Sequence, residues 1–456
     1  MKKLLFLLFA LLFSNAAFCG TYGCFNVKDY GAAGNNSTDD TVDINAAITA
    51  AGAATIVEPN GTITKGGCVY FPAGVYVVSS TLTFPARVSA VGDGPGGIWT
   101  GSDNSPGASV IRGTMNATIL SFPNDRFSVQ NLGVSGPANS ADTSSECIKI
   151  GPSAVRQFFL EHVYTEFCYD GIYIDGVNNG MLNDVMAQAN YRNGIRAMGA
   201  QGAWHGINLI INGSDGVYFG TPSVNSTANP WITGLQTFGN GGWGANVQTQ
   251  GLVLSTSFMN NDYSGEINLG SGAANSSIVN TQIQYAGRTT VYGTNTTAVG
   301  LSIAAGSVED VALNNLMFFG DEGNDIVANG TSGNLVISNS TFEGAGAGGV
   351  ANNNYAISSV QPRLSVSNIN STNPVTFSGN YSSWANSFIE ANTASQAAFN
   401  VAGGVNHNIS GMQLYQNSTG KAFTSATGTS YTIAATQVYG GSTSHGTLIS
   451  SFAGSP

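Results

Sequence analysis

The chain has 456 residues, of which 60 are glycine and only 9% are charged, and its net charge is −11. A chain of this length exceeds what one compact core usually supports, so it either divides into domains or grows as a repeat. The negative charge and the absence of a basic stripe argue against a nucleic-acid partner and against binding to anionic membrane surfaces.

The first residues have the layout of a secretory signal peptide. Two lysines, Lys2 and Lys3, precede an apolar run over residues 4–13, and small residues follow. The run is too short to span a bilayer as a stable anchor. We therefore assign residues 1–19 to a signal peptide and expect a secreted protein, extracellular, periplasmic or at the cell surface, without membrane insertion.

Four cysteines remain once a leader is removed at or near Cys19. Secreted proteins fold in an oxidising compartment, where an even number of cysteines favours disulfide bonds. We predict that Cys24 pairs with Cys68 and that Cys147 pairs with Cys168. For the second pair, two buried free thiols in an internal row are an equal alternative.

The segment after the leader predicts a strand, a helix and returning strands. Residues 25–30 read as a short strand. Asp39 or Asp40 is a suitable N-cap for a helix of about twelve residues that would cover an open end of the fold. The apolar residues of this helix recur at helical spacing, at Ile44, Ala47, Ile48 and Ala51. Alternating apolar residues then predict strands, at Val69, Phe71, Val75 and Val77.

These segments, which read "FNVKDYGA", "DDT" and "VYFPAG", resemble the N-terminal block of the pectate lyase superfamily domain over residues 25–85. The resemblance implies a right-handed parallel β-helix in which Asp39 and Asp40 are helix caps. That superfamily includes lyases, glycoside hydrolases, epimerases and phage tailspikes, so the resemblance defines the fold more narrowly than the activity. The "NTD", "GHG" and "RIK" motifs of the polygalacturonase-type hydrolases are absent here, so they identify no catalytic residue.

A repeat in the middle of the chain indicates the same fold independently. "DGIYI" returns as "NGIRA" and "DGVYF", with Gly171, Gly194 and Gly216 at steps of 23 and 22 residues, the period of a solenoid. Each repeat holds short strands and a polar turn and cannot bury its apolar side alone, so neighbours must stack. The recurrent asparagines suit left-handed turn positions and side-chain ladders.

We therefore predict an all-β, single-domain, right-handed parallel β-helix. Residues 20–87 form its N-terminal strand and helix cap, and residues 88–380 form its coils. Residues 381–456 are further coils, a cap or a small β module. Such a solenoid is expected to be a monomer, with a homotrimer as the alternative.

The repeat also sets a register, because side chains alternate along a strand. The predicted inward positions are Ile172, Ile174, Ile195, Ala197, Val217 and Phe219. The predicted outward positions, here called the outer row, are Lys149, Tyr173, Arg196 and Tyr218. Rings interleaved with cations suit an acidic polysaccharide, and Arg192 would add a further cation. The alternative is an ordinary solvated sheet face on which tyrosine is simply a good strand former.

A second predicted row, here called the acidic row, contains Glu146, Asp170, Asn193 and Asp215. Asp170 and Asp215 would lie two coils apart, about 9–10 Å, and Glu146 and Asp170 one coil apart, about 5 Å. Paired carboxylates at such separations serve inverting and retaining glycoside hydrolases. The alternative is that Asp-Gly and Asn-Gly only form the turn of each coil.

A lyase would use other groups, namely a base and a cation beside a uronate carboxylate. Arg196, Arg192 or Lys149 could supply the cation. No cofactor is required, but Ca²⁺ is an option, with Asp175 and Asp184 as candidate oxygen ligands. His205 is the best histidine candidate for catalysis, although a structural role is the alternative. The acidic stretch "GDEGND", residues 320–325, reads as a calcium site, an acidic cleft or a solvated turn.

These observations favour a secreted protein that binds, and as an enzyme degrades, an acidic or substituted polysaccharide by hydrolysis or β-elimination. One rival is a non-catalytic glycan-binding or adhesion solenoid. Another is a tailspike-like surface protein.

Overall fold

The computed structural model describes residues 24–57, 60–97, 107–152, 156–176, 178–221, 229–289, 291–306, 310–344, 354–392, 396–417, 421–440 and 447–454. The predicted signal peptide lies outside these residues. Within them, no helix is both long and apolar enough to cross a membrane.

The N-terminal segment differs from its sequence-based prediction. Only Phe25–Asn26 is a strand, and Val27–Tyr30 forms a 3₁₀ turn. The turn begins because the side chain of Asn26 accepts a hydrogen bond from the backbone N–H of Lys28 (3.0 Å). It ends at Gly31, whose φ of 112° favours glycine.

Helix α1, Thr41–Ala53, covers the end of the solenoid as predicted, and its apolar face is buried against the first coils. Asp40 occupies the N-cap position, but its carboxylate turns away from the helix and accepts the backbone N–H groups of Ala33 (2.6 Å) and Gly34 (3.1 Å). Asp39 instead accepts the N–H of Thr41 (3.0 Å). Asp39 therefore caps the helix through its side chain, whereas Asp40 occupies the N-cap position and its side chain holds the preceding loop.

The remaining elements are strands. The first are β1 (Phe25–Asn26), β2 (Asn35–Asp39), β3 (Thr55–Val57), β4 (Ile63–Lys65), β5 (Gly67–Phe71), β6 (Gly74–Val78), β7 (Leu82–Thr83), β8 (Val88–Gly92), β9 (Ser109–Gly113), β10 (Leu120–Phe122), β11 (Phe127–Ser135), β12 (Glu146–Ile150), β13 (Arg156–Glu166), β14 (Asp170–Asp175) and β15 (Asn178–Gln188). The middle strands are β16 (Ile195–Met198), β17 (Gln201–Ile210), β18 (Val217–Gly220), β19 (Asn229–Phe238), β20 (Trp243–Val247), β21 (Val253–Ser255), β22 (Phe258–Asn260), β23 (Gly265–Leu269), β24 (Ser277–Val279), β25 (Gln282–Gln284), β26 (Arg288–Thr289), β27 (Gly293–Thr294), β28 (Val299–Gly306), β29 (Val311–Asn314) and β30 (Met317–Phe319). The last are β31 (Ile326–Gly330), β32 (Leu335–Ser338), β33 (Thr341–Glu343), β34 (Ile357–Ser359), β35 (Leu364–Ser367), β36 (Asn370–Ser371), β37 (Val375–Phe377), β38 (Ser383–Ala385), β39 (Phe388–Ala391), β40 (Phe399–Val401), β41 (His407–Ser410), β42 (Gln413–Gln416), β43 (Phe423–Ser425), β44 (Tyr431–Gly440) and β45 (Thr447–Gly454).

Nearly all of these strands belong to two long sheets, which makes the fold a parallel β-helix. One sheet has 14 strands, from β7 to β43, and the other has 27. The larger sheet bends within each coil at a single residue with positive φ, such as His162 (48°), Asp184 (51°) and Asn315 (54°). Each coil therefore has three sides, and the smaller sheet forms one of them.

The coils continue to the end of the described chain. Strands β34, β37, β40 and β43 extend the 14-stranded sheet. The final strand, β45, pairs antiparallel with β44 and interrupts the parallel pattern. An antiparallel strand leaves the last parallel strand less exposed as an edge, which discourages pairing with another chain.

The interior contains stacked rows of identical residue types. Phenylalanine rings 84, 122, 127 and 158 stack along three consecutive coils with centroids 4.3–5.7 Å apart. Buried amides form the predicted ladder, in which the Nδ2 of Asn190 donates to Asn212, Asn212 donates to Asn240, and Asn240 donates to Asp262. The six residues predicted to point inward are all buried.

Both predicted disulfides are confirmed. Cys24 bonds to Cys68 with a Cα–Cα distance of 4.6 Å, and Cys147 bonds to Cys168 with a Cα–Cα distance of 5.6 Å. The alternative of two free thiols at Cys147 and Cys168 is therefore wrong. This second bond joins strand β12 to the turn that leads into β14, so it ties together two consecutive coils.

Candidate functional site

The outer row lies on the 14-stranded sheet in the predicted register. Lys149 is paired with Tyr173, Tyr173 with Arg196, and Arg196 with Tyr218. Their side chains are partly exposed while the residues before and after each of them are buried. The strands of this sheet therefore present one continuous line of side chains to solvent.

Tyr173 lies between the two cations of this row. The ring centroid is 5.3 Å from Nζ of Lys149 on one side and 5.0 Å from Cζ of Arg196 on the other. Both distances are within the range of cation–π attraction. The Tyr173 hydroxyl donates to Oδ2 of Asp175 (3.4 Å), a carboxylate at the end of the same strand.

The Tyr173 phenol keeps its proton more strongly than a solvent-exposed tyrosine. Burial raises the pKa of Tyr173, and the negative charge of Asp175 raises it further, while the charge of Arg196 opposes both. At neutral pH the phenol is therefore a proton donor. The protonated phenol lies between two positive charges. This arrangement can bind an anionic ligand and donate a proton to it.

Glu146 borders this cluster on the side of the preceding coil. It pairs in register with Asp170, as predicted. One oxygen of its carboxylate is 3.4 Å from Nζ of Lys149, and the other accepts a hydrogen bond from the hydroxyl of Thr118. Its side chain is 16% exposed, whereas Asp170 and Asp215 are buried, so Glu146 is the most accessible carboxylate of the acidic row.

Asp170 is fully buried and saturated with hydrogen bonds. Its carboxylate accepts two from the guanidinium of Arg192, one of them from Nε at 2.8 Å, and two from Asn193. Arg192 also stacks on the ring of Tyr169, with Cζ 4.1 Å from the centroid. The pair closes the corner between coils, so both residues are held by structure before any ligand binds.

Asp215 is buried two coils further along the acidic row. Its oxygens accept the backbone N–H of Trp243 (2.8 Å) and Nδ2 of Asn246 (2.9 Å). Burial raises the pKa of Asp215, and these two hydrogen bonds oppose the shift. A carboxyl with a raised pKa is suited to donate a proton, which keeps the prediction of a catalytic role open.

Amide side chains extend the outer row beyond Tyr218. Asn246 pairs with Tyr218 in register, and Asn268 pairs with Asn246. The Asn246 amide oxygen accepts from Gln248 (2.7 Å) and from Asn268 (3.1 Å). The sequence prediction stopped at Tyr218 because the "DG" pattern ends there, although "GWGANV" and "SGEINL" continue the alternation.

Two predicted residues lie elsewhere. His205 is exposed in β17 of the 27-stranded sheet, between Asn183 and Thr233, so it is not beside Arg196. The chain passes from the 14-stranded sheet to the 27-stranded sheet at the corner between β16 and β17. The repeat in the sequence does not show where this corner lies. Asp184 is also in that sheet, at a left-handed corner, where Oδ2 is 3.3 Å from Nε2 of His162.

The predicted calcium ligands do not form a site. Asp175 ends a strand of the 14-stranded sheet, whereas Asp184 belongs to the other sheet. Across the described residues, no three Asp, Glu, His or Cys side chains are arranged to hold a metal ion. Asp175 and Asp184 therefore do not share one metal site, and no step of a reaction is derived through Ca²⁺.

Two shallow cavities lie on the 27-stranded sheet. A cavity of about 460 Å³ is lined by Tyr70 and Asp93, and one of about 680 Å³ by Phe159 and Met181. Neither contains a residue of the outer row or the acidic row. The outer row is the candidate site because it brings cations, a phenol and neighbouring carboxylates within contact distance.

The fold and this surface define a class of protein, a parallel β-helix with a row of charged and aromatic side chains along one sheet. Residues 24–229 match the family described as rhamnogalacturonase A/epimerase, pectate lyase-like. This match confirms the resemblance of residues 25–85 to the pectate lyase superfamily.

Curated relatives match over short segments. The mannuronan C5-epimerase AlgE3 of Azotobacter vinelandii is 46% identical over 79 residues, which are 16% of this chain and 4% of that protein. A probable glucan endo-1,3-beta-glucosidase of Arthroderma benhamiae is 43% identical over 68 residues, which are 15% of this chain and 8% of that protein. The chain thus aligns with less than a tenth of the length of these two relatives.

Solved structures match over most of the chain. The A-module of the mannuronan C-5 epimerase AlgE6 of Azotobacter vinelandii has a TM-score of 0.55 and 20% identity, covering 88% of this chain and 99% of that one. The Agl-KA catalytic domain has a TM-score of 0.59 and 15% identity, covering 78% of this chain and 67% of that one. At these identities the likeness establishes the fold alone.

Proposed function

We propose that the chain is a secreted enzyme that acts on an acidic polysaccharide bound along the outer row. Its chemistry would be removal of the proton next to a uronate carboxylate. The observation that carries this proposal is the position of Tyr173 between Lys149 and Arg196, with its hydroxyl on Asp175. The names of the relatives, a mannuronan epimerase and a probable glucanase, support a carbohydrate substrate.

The two cations would hold the carboxylate of the reacting sugar. The proton on the carbon next to a carboxylate is weakly acidic because its loss adds negative charge to that group. Arg196 can pair with a carboxylate through two parallel hydrogen bonds, and Lys149 supplies a second positive charge. Charge placed where negative charge develops lowers the barrier.

The remaining groups can move the protons. Glu146, beside Lys149 and partly exposed, would accept the proton from the carbon next to the carboxylate. In β-elimination the electron pair left behind forms a carbon–carbon double bond while the neighbouring C–O bond breaks, and Tyr173 donates its proton to the leaving oxygen. In epimerisation Tyr173 returns a proton to the opposite face of the carbon, and no bond of the chain is broken.

Hydrolysis is the second candidate, and the geometry of Asp215 favours it. Burial raises the pKa of this carboxyl, which suits a general acid, and Asp170 lies two coils away, at the spacing of inverting enzymes. The saturated ion pair of Asp170 with Arg192 counts against this pairing, because a base must be free to accept a proton.

The test is turnover of a panel of uronate-containing and neutral polysaccharides by the purified protein, with and without a chelator. New reducing ends together with unsaturated uronate would indicate elimination, and an inverted carbon without new ends would indicate epimerisation. Reducing ends alone would favour Asp215 and hydrolysis. A polysaccharide that binds but is unchanged in all three assays would leave the adhesion solenoid as the better interpretation.

Secretion belongs to the same proposal. Two disulfides suit an oxidising compartment outside the cytoplasm. Appearance of the protein in the culture medium with a new N-terminus near residue 20 would support it, and retention of the full chain inside the cell would overturn it.

A further inference from the structure

One carboxylate of the acidic row contacts an amide of the outer row directly. Asp215 lies in the corner before β18 and is only 6% exposed, whereas Asn246, in β20, is partly exposed on the open face of the 14-stranded sheet. Oδ2 of Asp215 accepts a hydrogen bond from Nδ2 of Asn246 (2.9 Å), and Oδ1 accepts the backbone N–H of Trp243 (2.8 Å). A buried charge is therefore connected to the surface that forms the candidate site.

The Asp215 carboxylate is held in place from both neighbouring coils. The backbone N–H of Asp215 donates to Oδ1 of Asn193 (3.2 Å) in the preceding coil, and the N–H of Trp243 reaches the carboxylate from the following coil. A Cβ at Gly242 would clash with Oδ1 of Asp215, so the glycine allows the carboxylate to approach the chain closely. Because an unsatisfied buried group is costly, the carboxylate cannot turn away from these donors without a loss of stability.

This carboxylate determines which way the Asn246 amide faces. An ionised carboxylate only accepts hydrogen bonds, so Asn246 must turn Nδ2 toward Asp215 and Oδ1 away from it. Oδ1 of Asn246 then accepts from Nε2 of Gln248 (2.7 Å) and from Nδ2 of Asn268 (3.1 Å). Two accepted hydrogen bonds occupy both lone pairs of an amide oxygen.

One group of Asn246 remains for a ligand. Its Nδ2 carries two N–H groups, and Asp215 accepts one of them. The second has no partner among the residues that the structure describes, and the side chain is partly exposed. Asn246 therefore offers a ligand a hydrogen-bond donor and no acceptor. An amide that was not held by Asp215 could turn and present either.

We propose that Asp215 is a positioning residue, which acts through Asn246 to present a hydrogen-bond donor to an oxygen of the bound polysaccharide. The inference rests on the proposed function and makes it more specific. Asn246 pairs with Tyr218 and Tyr218 with Arg196, so Asn246 lies two strands, about 9–10 Å, from the cation. The donor faces a sugar unit beside the one held at Arg196. A carboxylate or hydroxyl oxygen satisfies this donor, whereas a protonated amino group cannot.

A double-mutant cycle on binding tests the assignment without any need for turnover. The probe is a uronate oligomer long enough to span Lys149 to Asn246, four strand spacings or about 19 Å. In Asp215→Asn the new side chain can no longer accept from both Trp243 and Asn246. We expect Asp215→Asn and Asn246→Ala each to weaken binding about threefold to tenfold, and the double variant to bind no more weakly than Asn246→Ala.

The matched control is Asn400→Ala on the same sheet. Asn400, in β40, is also partly exposed, and its amide also exchanges hydrogen bonds with the neighbouring strands, at Thr376 and Thr424. It lies six strands beyond Asn246, out of reach of an oligomer that ends there. This variant should bind the probe as tightly as the unmodified protein.

Turnover separates positioning from proton transfer by Asp215. A general acid would lose about 10²–10⁴-fold in kcat in Asp215→Asn, and it would do so equally when Asn246 is already alanine. A positioning residue changes KM more than kcat, and Asp215→Asn then adds nothing to Asn246→Ala. A large loss of kcat in both backgrounds would overturn the proposal and favour the hydrolytic role of Asp215.

The binding outcomes distinguish this inference from the proposed function. If the unmodified protein binds the oligomer but Asn246→Ala binds it equally well, the positioning role is wrong and the proposed function stands. Losses that add in the double variant would likewise contradict it, because the two residues would then act independently. If the unmodified protein does not bind the oligomer, both are wrong. Asn246 is on the surface, so Asn246→Ala decides the matter even where Asp215→Asn lowers the melting temperature too far for assay.

Discussion

Arg192 and Arg196 lie close together in the sequence but have different surroundings. Arg192 forms two hydrogen bonds with the fully buried Asp170, whereas Arg196 lies in the outer row beside Tyr173. From the sequence, both were expected to bind substrate. The structure shows that only Arg196 has its guanidinium on the open face of the sheet, since that of Arg192 is engaged at the corner.

These surroundings predict that replacing Arg192 lowers stability, whereas replacing Arg196 weakens binding. Arg192→Ala should lower the free energy of unfolding by about 3 kcal/mol, because it leaves the buried charge of Asp170 without its partner. Arg196→Ala should change stability by less than about 0.5 kcal/mol but weaken binding of a uronate oligomer. Urea unfolding and binding affinity, measured on both variants, check the prediction. Equal stability of the two variants would contradict the structural role of Arg192.

The sequence pattern predicted the positions of the acidic-row carboxylates but not their hydrogen-bond partners. Dipeptides such as Asp-Gly placed Asp170 and Asp215 one above the other, and the register confirms that placement. Whether a carboxylate is open or saturated depends on which side chain reaches it from the next coil. Arg192 reaches Asp170 from the corner, and the spacing of the glycines contains no information about that contact.

At the scale of elements, the ladder of Asn190, Asn212, Asn240 and Asp262 joins the coils beneath the candidate site. Oδ1 of Asn212 accepts both the backbone N–H and the Nδ2 of Asn190, at 3.1 and 3.0 Å. Each member thus satisfies buried donors of its neighbour. Hydrogen bonds of this kind fix the stacking of coils in which apolar packing alone would permit sliding.

Removing one member should therefore cost more than removing an exposed asparagine. Asn212→Ala leaves two buried donors of Asn190 unsatisfied, and we expect a loss of about 3 kcal/mol in the free energy of unfolding. The matched control is Asn408→Ala in the exposed row of β41, for which we expect less than about 0.5 kcal/mol. Chemical denaturation measures both losses. Similar values for the two variants would show that the ladder contributes no more to stability than an exposed asparagine does.

The sequence predicted the strands and their register better than the insertions between strands and the burial of acidic residues. Strand alternation in "DGIYI" and its two copies was sufficient to define the outer row, because period 2 fixes which side chains point outward. It gave no indication of the antiparallel pair β26–β27, since "RTTVYGTNTT" has no repeat to compare with. It also allowed a solvated turn for "GDEGND", whereas Asp321, Glu322 and Asp325 are buried.

At the scale of the whole molecule, one group of four buried carboxyls lies inside the solenoid, formed by Asp262, Glu266, Asp321 and Asp325. Asp262 and Asp321 lie two coils apart with Ala286 between them, and Glu266 and Asp325 lie on either side of Gly300. Oxygens of Glu266, Asp321 and Asp325 are buried without a donor. Carboxyls in this arrangement are satisfied when some of them keep their protons and donate to others.

Their environment makes stability depend on pH. Burial raises the pKa of Asp262 to about 6 and that of Asp321 to about 7, and it raises those of Glu266 and Asp325 as well. Thr237 and Asn240 donate to Asp262, Ala286 donates to Asp321, and the charge of Arg288, paired with Glu322, also favours ionised Asp321. These groups reduce the shifts without cancelling them.

The sign follows from linkage. Because the folded pKa values exceed the ordinary value near 4, the folded chain holds protons that the unfolded chain has released. The stability contributed by the protonated carboxyls is complete below about pH 4 and is lost as the pH rises through about 6 to 7. The free energy of unfolding should therefore fall over that interval, and Asp325→Asn should flatten the decline.

Denaturant unfolding at a series of pH values measures this dependence. The control is Asp310→Asn, which changes an exposed carboxylate at a left-handed position that asparagine also tolerates. It should leave the slope unchanged. A slope in Asp325→Asn equal to that of the unmodified protein would show that the interior carboxyls do not cause the effect.

The central claim is that Tyr173 transfers a proton on a uronate bound between Lys149 and Arg196. Its most direct test is the rate of the unmodified protein and of Tyr173→Phe on the uronate polysaccharide that the protein binds, with binding affinity measured in parallel. The substitution keeps the ring between the cations and removes only the hydroxyl. We expect kcat to fall by about 10²–10⁴-fold with affinity unchanged. A variant that retains full kcat would contradict the claim.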